Sequence, residues 1–524
     1  VKNNIGLLLA KRAFLNPDLE AVVDVATDRR FTYAEADERC NRTARALEGL
    51  GVQRGDRVSL LLMNSVEFFE CFLAVAKLGA ICVPLNWRLV PDELEFILKD
   101  SGTSVLIFGD EFADAVADLQ ARPGLSGEGE GATRIRHYLQ VMPVSGGGSV
   151  RPFAEDYASV RAASAADEPE VVAGDDDDLY IMYTSGTTGL PKGVVHTHST
   201  AMWGSLSVLS TAEVRHADRY IVALPLFHVG ALTPMTGNIH RGMTSLIMRA
   251  FDPAAVWRLV ESERVDNMLA VPAMLNAMLQ VPDHAEVDRS RLRWIMSGAA
   301  PVPVSLIESY AKMGIDIHQV YGMTETCGPA CLTSPETAVS KAGSTGKPFV
   351  HTEVRVVDDA GRDVAPGEPG EVLIRGPHVM KEYWNRPDAT AETLRDGWLH
   401  SGDIATVDDE GFIYIQDRKK DMIISGGENV YPAEVENVIL SHPQVVDVAV
   451  IGQPSDRWGE SAFAVVVRGT DSLDEQAVLD HCQGKLARFK QPRGVAFVDE
   501  IPRNPSGKAL KRVLRDRFPG PAPE

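Results

Sequence analysis

The segment Thr184-Ser185-Gly186-Thr187-Thr188-Gly189-Leu190-Pro191-Lys192-Gly193 gathers hydroxyls, glycines and a single lysine in one short span. Glycines let backbone amides approach an anion, Ser and Thr side chains donate to its oxygens, and Lys192 supplies positive charge. This is chemistry for phosphate. It is not a Walker loop, which sets its lysine directly after the last glycine and opens a helix; here Leu190-Pro191 separates Gly189 from Lys192. The competing reading is a plain Ser/Thr/Gly surface loop. Its position directly after the apolar run Leu179-Tyr180-Ile181-Met182-Tyr183, a buried strand by pattern, weighs against that.

Other groups invite chemistry but have ordinary readings too. Tyr321-Gly322-Met323-Thr324-Glu325 combines a ring, a hydroxyl and a carboxylate, which suit a base, a phosphate and Mg²⁺; alone, it is equally a turn. Ser297-Gly298-Ala299-Ala300-Pro301 gives room for a flat ring or for tight core packing. Asp403, in Ser401-Gly402-Asp403, and Arg418 read unaided as a turn and a salt bridge. Lys508 follows the Pro/Gly-stiffened turn Pro502-Arg503-Asn504-Pro505-Ser506-Gly507 and by itself reads as a surface lysine. His228 ends Pro225-Leu226-Phe227-His228, where a satisfied core histidine is the usual state.

These groups need a scaffold, and 524 residues are too many for one core. Tyr33 to Leu50 and Val66 to Leu78 have helical patterns, while Arg57 to Met63 and Ile81 to Pro84 read as strands. Such alternation predicts a doubly wound α/β layer over residues 1–110, with a second from the 184–193 loop to about residue 340. The Gly/Ser/Glu-rich stretches within 123–150 read as exposed loops, and Gly343-Ser344-Thr345-Gly346-Lys347 as a turn. From Gly343 to Ile415 short strands and turns predict a small β-rich unit. A separate α/β unit runs to Arg517, and the proline-rich tail 518–524 is expected to be disordered.

A net charge of −21 argues against nucleic acid or an anionic membrane as the main partner. No apolar run approaches a bilayer span and no leader is expected. Six scattered cysteines, Cys327 and Cys331 included, fit reduced thiols of a cytoplasmic protein, and the acids Asp175 to Asp178 a solvated turn.

The 184–193 loop resembles the signature of the adenylate-forming enzymes: acyl-CoA synthetases, aryl-CoA ligases, luciferases and amino-acid adenylation domains. Matching motifs extend from about residue 30 to residue 512, and the chain is most similar to bacterial fatty-acid–CoA ligases. The resemblance implies an α/β fold whose large N-terminal domain, 1–417, holds two doubly wound subdomains and a small β-barrel-like one at about 343–415. A small mobile α+β domain, 418–517, would follow, hinged at Lys420. It also implies ATP, Mg²⁺ and coenzyme A as the small molecules bound, with a carboxylic acid as substrate and a homodimer left open.

Residue by residue, the likeness assigns Thr184, Ser185, Gly186, Thr187, Thr188, Gly189 and Lys192 to the phosphates, Thr184 also having a catalytic part. Gly298, Ala299, Ala300 and Pro301 would lie by the adenine, with Tyr321, Gly322 and Met323. Thr324 would meet the α-phosphate, and Glu325 with Thr188 the magnesium. Asp403 and Arg418 would bind the ribose, and Lys508 would bridge the substrate carboxylate and α-phosphate. His228, Leu232, Gly298, Ala299, Gly328, Pro329 and Ala330 would line the acyl pocket. Amino-acid adenylation domains carry an aspartate where His228 stands, so an acid without an α-amino group is expected. With no Arg or Lys among these residues, dicarboxylic acids are not expected. Gly426, Gly427, Trp458, Phe489, Lys490 and Arg493 would receive CoA.

The implied function is an acyl-CoA synthetase: a hydrophobic carboxylic acid (medium- or long-chain fatty, aryl or bulky polycyclic) is converted to an acyl-AMP, then to a CoA thioester. The alternative in the same fold is an acyl-AMP ligase serving a carrier-protein phosphopantetheine. Those enzymes carry an insertion near the hinge, and none is visible between Gly411 and Pro432. A non-enzymatic paralogue would have lost charged positions, yet Lys192, Glu325, Asp403, Arg418 and Lys508 are all present.

Overall fold

The computed structural model describes residues 3–122, 124–125, 135–184, 191–300, 302–418, 421–425, 428–455, 458–483, 485–486, 488–503 and 509–520. The first sheet has eight strands, in the order Glu382–Tyr383, Lys192–Thr197, Asp178–Thr184, Ile81–Pro84, Arg57–Leu61, Thr103–Gly109, His137–Val141 and Glu155–Asp156. It is parallel except where Lys192–Thr197 meets its two neighbours. The second has nine: Lys347–Pro348, Cys331–Leu332, Asp316–Tyr321, Trp294–Ser297, Asn267–Leu269, Arg219–Val222, Thr244–Ile247, Glu20–Asp24 and Arg29–Thr32. From Asp316–Tyr321 to Glu20–Asp24 it is parallel.

The two layers are not consecutive in the chain, as the sequence pattern had suggested. Glu20–Asp24 joins the second sheet through Val22 opposite Ser245, while Asp178–Thr184 closes on the first through Tyr180 opposite Cys82. Alternation tells that a segment is a strand, but pairing partners are set by packing at long range. His137–Val141 is also a strand, hidden in the sequence between two glycine-rich stretches.

Helix Val66–Leu78 is buried along its whole length, its three charged residues Glu67, Glu70 and Lys77 being paired with Arg29, Arg39 and Asp37. Ser65 starts it by accepting from the Phe68 amide at 3.1 Å. Around it one apolar cluster takes residues from both sheets, Val58 and Val105 from the first and Val22 and Ile247 from the second. The sheets are thus held by a common core, so motifs at their strand ends are placed with little freedom.

Glu353–Val357, Gly370–Arg375, Trp398–Val407, Leu394–Arg395 and Ile413–Arg418 form a third, antiparallel sheet, matching the expected β-rich unit. The Gly343–Lys347 turn is tied to it: the Thr345 amide donates to the Ile413 carbonyl at 2.8 Å. A fourth sheet joins Glu428–Val430, Ile423–Ser425, Gly459–Arg468, Val445–Ser455 and Val495–Phe497, with its own apolar core. Helices Pro432–Leu440 and Glu475–Cys482 supply Val435, Ile439 and Val478 to that core.

Candidate active site

Parallel strands deliver their loops to one edge, and ligands bind outside the carboxyl ends in such sheets. Thr184 ends Asp178–Thr184, Gly298 follows Trp294–Ser297, and Gly322 follows Asp316–Tyr321. The residues 185–190 of the hydroxyl loop lie outside the described part of the chain, as does Pro301. The strands flanking the loop are an antiparallel hairpin in which Thr184 faces Lys192, so the hydroxyl and the lysine are fixed across from each other.

The turn after Tyr321 is where three sheets meet. Thr324–Thr326 is a single 3₁₀ turn ended by Cys327 in a left-handed conformation, φ 55°. From the first sheet, His196 Nε2 lies 2.7 Å from the Thr324 carbonyl and the Tyr383 phenol donates to Glu325 Oε1 at 2.7 Å. From the third sheet, Asp403 accepts from the Tyr321 phenol at 2.7 Å. Thr233, on helix Val229–Arg241 that begins beyond His228, donates to the Cys327 carbonyl at 2.7 Å. Burial, and then the charge of Asp403, push the Tyr321 phenol far above its ordinary pKa, so it remains a donor.

Asp403 is 5% exposed and stands opposite Arg418 in the strand register, with Gly402 before it at φ 68°. The two residues expected to share a ribose are therefore cross-strand neighbours, and Tyr321 joins them. Gly298 and Gly322 have a reason beyond ligand access: a Cβ on Gly298 would lie 2.2 Å from the Val320 carbonyl oxygen, and one on Gly322 1.4 Å from that of Gly328. Tight packing of the chain on itself requires glycine at both.

The acyl-pocket residues are only partly brought together. Gly328 lies against Thr233, next to Leu232. Leu232 packs in the cluster between the two large sheets, whereas Ala330 packs in the β-rich one. The His228 ring lies tilted against that of Phe227, which meets Trp87 edge-on at 6.1 Å. Arg88 covers that tryptophan at 4.3 Å, and after burial it is the next cause lowering the His228 pKa to about 4. Arg88 is thus a cation near His228 that is not among the acyl-pocket residues read from the sequence. His196, Tyr383 and Arg88 all went unnoticed in the sequence. No local motif marks them; each acts through a segment distant in the chain.

An AMP-binding enzyme model matches residues 9–384, and an AMP-binding enzyme C-terminal domain model matches 434–508. The chain belongs to the AMP-binding enzyme family. It is 46% identical to the long-chain-fatty-acid–CoA ligase FadD13 of Mycobacterium tuberculosis over 524 residues, covering 99% of this chain and 100% of that one. It is 41% identical to a feruloyl-CoA synthase of an Amycolatopsis species over 517 residues, covering 98% and 99%. Its fold matches the crystal structure of the anthranilate CoA ligase AuaEII in complex with anthranoyl-AMP, with a TM-score of 0.90 at 27% identity, covering 99% and 97%. This AMP-binding enzyme is an AMP-forming acyl-CoA ligase that uses ATP and CoA.

Four of the residues expected to meet CoA in this AMP-binding enzyme are described. Lys490 Nζ donates to both Glu434 oxygens at 2.7 Å, and Phe489 packs on the C-terminal core. Trp458 is 37% exposed, and the Arg493 amide donates to the Ala462 carbonyl. Gly426, Gly427, Lys420, Lys508, Thr187 and Thr188 lie outside the described residues. Among the described residues no group of three His, Cys, Asp or Glu side chains could hold a metal, and no helix is long and apolar enough to cross a membrane.

The buried histidines make an acid-lability prediction. His196, His198, His228, His318 and His378 are each lowered to about 4, burial being the largest cause. A folded pKa below the unfolded one means that unfolding takes up protons between about pH 6.5 and 4. Their stabilisation is complete above about pH 6.5 and is lost as pH falls, by at most about 1.4 kcal/mol per pH unit for each histidine. Urea unfolding midpoints should hold from pH 7.5 to about 6.5 and decline from there to pH 5; a flat profile throughout would contradict neutral buried imidazoles.

Proposed function

We propose that this ligase activates a hydrophobic carboxylic acid at the turn where the three sheets meet. The carboxylate attacks the α-phosphorus of ATP, pyrophosphate leaves, and an acyl adenylate remains. The CoA thiol then attacks the acyl carbonyl, losing its proton, and AMP departs. No protein nucleophile is needed. Positioning and charge neutralisation carry both steps.

Lys192 and the hydroxyl loop hold the phosphates, Thr324 meets the α-phosphate, and Asp403 with Arg418 holds the ribose. Glu325, a single carboxylate beside Thr324 in the chain, would with Thr188 hold Mg²⁺ shared with substrate phosphates, a hard-oxygen set that fits this cation. Mg²⁺, when bound, supplies neutralisation of phosphate charge. The observation that carries this reading is Asp403, opposite Arg418 in the strand register and accepting from the phenol of Tyr321, four residues before Glu325.

The C-terminal unit, 418–517, turns about Lys420 between the two steps, bringing Lys508 for the first and the Gly426-Gly427 segment for the second. The acid class is supported by relatives named for long-chain fatty acids and for ferulate, both carboxylates on extended apolar bodies. Discrimination by one methylene is worth only about 1–3 kcal/mol, so chain-length preference should be graded. AMP formation should be measured across fatty acids of C6 to C18, hydroxycinnamates, benzoates, steroid acids and malonate, each with CoA and with a carrier-protein phosphopantetheine. The reading predicts highest kcat/KM for a hydrophobic monocarboxylate with CoA; a preference for malonate or for the carrier protein would refute it.

A further inference from the structure

Tyr383 touches two charges of opposite sign. Its phenol donates to Glu325 Oε1 at 2.7 Å, and Lys192 Nζ lies over its ring, 5.1 Å from the centroid. The ring is held firmly: Tyr383 is 6% exposed and pairs with Val194 across the strands, and its amide donates to Thr390 Oγ1 at 2.9 Å. The next residue adds to the hold, the Trp384 amide donating to the Gly193 carbonyl at 2.7 Å. Glu325 is secured from the same segment, since its carbonyl accepts from the Met380 amide at 2.8 Å.

Lys192 and Glu325 make no ion pair among the described residues. A lysine and a glutamate sharing one tyrosine, in a partly buried site, would ordinarily be drawn into direct contact. The aromatic face satisfies the ammonium electrostatically, and the hydroxyl satisfies the carboxylate.

We propose that Tyr383 is a positioning residue that keeps Lys192 and Glu325 apart before nucleotide binds, so that the lysine stays available to phosphate and the carboxylate to a cation. The proposal rests on the reading of Lys192 and Glu325 given above. Without the spacer the two charges neutralise each other, and incoming ATP must first break their pair.

The test is calorimetric titration of the full-length protein with ATP in EDTA, where no metal contributes and no turnover occurs. Tyr383→Leu should weaken metal-free ATP about tenfold, and Tyr383→Phe, which keeps the ring but frees the carboxylate, about threefold. In a Glu325→Gln background, where no charge is left to pair with Lys192, either substitution should cost less than about twofold. Loss of a merely structural tyrosine would cost the same in both backgrounds, and that outcome overturns the proposal; so does unchanged binding by both Tyr383 variants. If Tyr383→Leu fails to fold, Tyr383→Phe carries the comparison alone. Lys192→Ala separates the two levels. Undiminished metal-free ATP binding by that variant would overturn the phosphate role of Lys192, and this proposal with it. A clear loss there with equal Tyr383 costs in both backgrounds overturns the spacer alone.

Discussion

Replacing Lys508 by alanine should slow acyl-adenylate formation by about 10²–10³-fold, while thioester formation from supplied adenylate should stay within about threefold of the parent. The lysine itself lies outside the described residues, but its surroundings are informative. Arg503 and Ala509 form an antiparallel bridge, and the Leu510 amide donates to the Pro502 carbonyl at 2.8 Å. Arg503 Nη2 also donates to both Asp447 oxygens, at 2.6 and 2.7 Å. The described residues on either side of 504–508 are thus tied to each other and to the C-terminal sheet, and on the proposed reading Lys508 travels with that unit. A cation presented only during the first half-reaction should matter only there. Lys420→Pro, which restricts the hinge backbone, should reverse the pattern by impairing the step that needs the rotated unit. Pyrophosphate exchange and thioester formation from synthetic adenylate, measured separately for each variant, check both. Equal loss of the two activities would refute the division of labour.

Asp403→Ala should raise the KM for ATP by about 50-fold, since on the proposed reading two charge-assisted bonds to the ribose go with the carboxylate. It also lowers stability. The Tyr321 phenol loses its Asp403 acceptor in a buried setting, which costs about 1–3 kcal/mol. Tyr321→Phe separates the effects, removing the phenol while the carboxylate remains, and should change the KM only a few-fold. Steady-state kinetics and urea unfolding on the three proteins are sufficient. A Tyr321→Phe effect as large as that of Asp403→Ala would make the aspartate a support for the tyrosine rather than a ribose ligand.

What could be read from the sequence was local. Val66–Leu78 and Ile81–Pro84 appear with the limits their apolar patterns predict, because capping by Ser65 and unbroken burial leave marks within a few residues. The motif residues Thr184 and Tyr321 also fall at strand ends, and Glu325 in the 3₁₀ turn that follows Tyr321. Sheet membership was not legible, since Val22 pairs with Ser245 more than two hundred residues away. For the same reason Tyr383 and His196 gave no signal: their partners Glu325 and Thr324 are near only in space. Gly298 and Gly322 were seen, Gly298 with tight packing as one of its two readings. Their glycine is required by neighbouring carbonyls, a constraint that spacing alone does not distinguish from room for a ligand.

The central claim is that one site makes an acyl adenylate and then passes the acyl group to CoA. Mixing enzyme, a preferred acid and adenine-labelled ATP without CoA, quenching, and then chasing a parallel sample with CoA tests it directly. The account predicts enzyme-bound acyl-AMP with an equal amount of pyrophosphate, converted completely to acyl-CoA and AMP in the chase. Formation of ADP, or an adenylate that CoA leaves untouched, would contradict it.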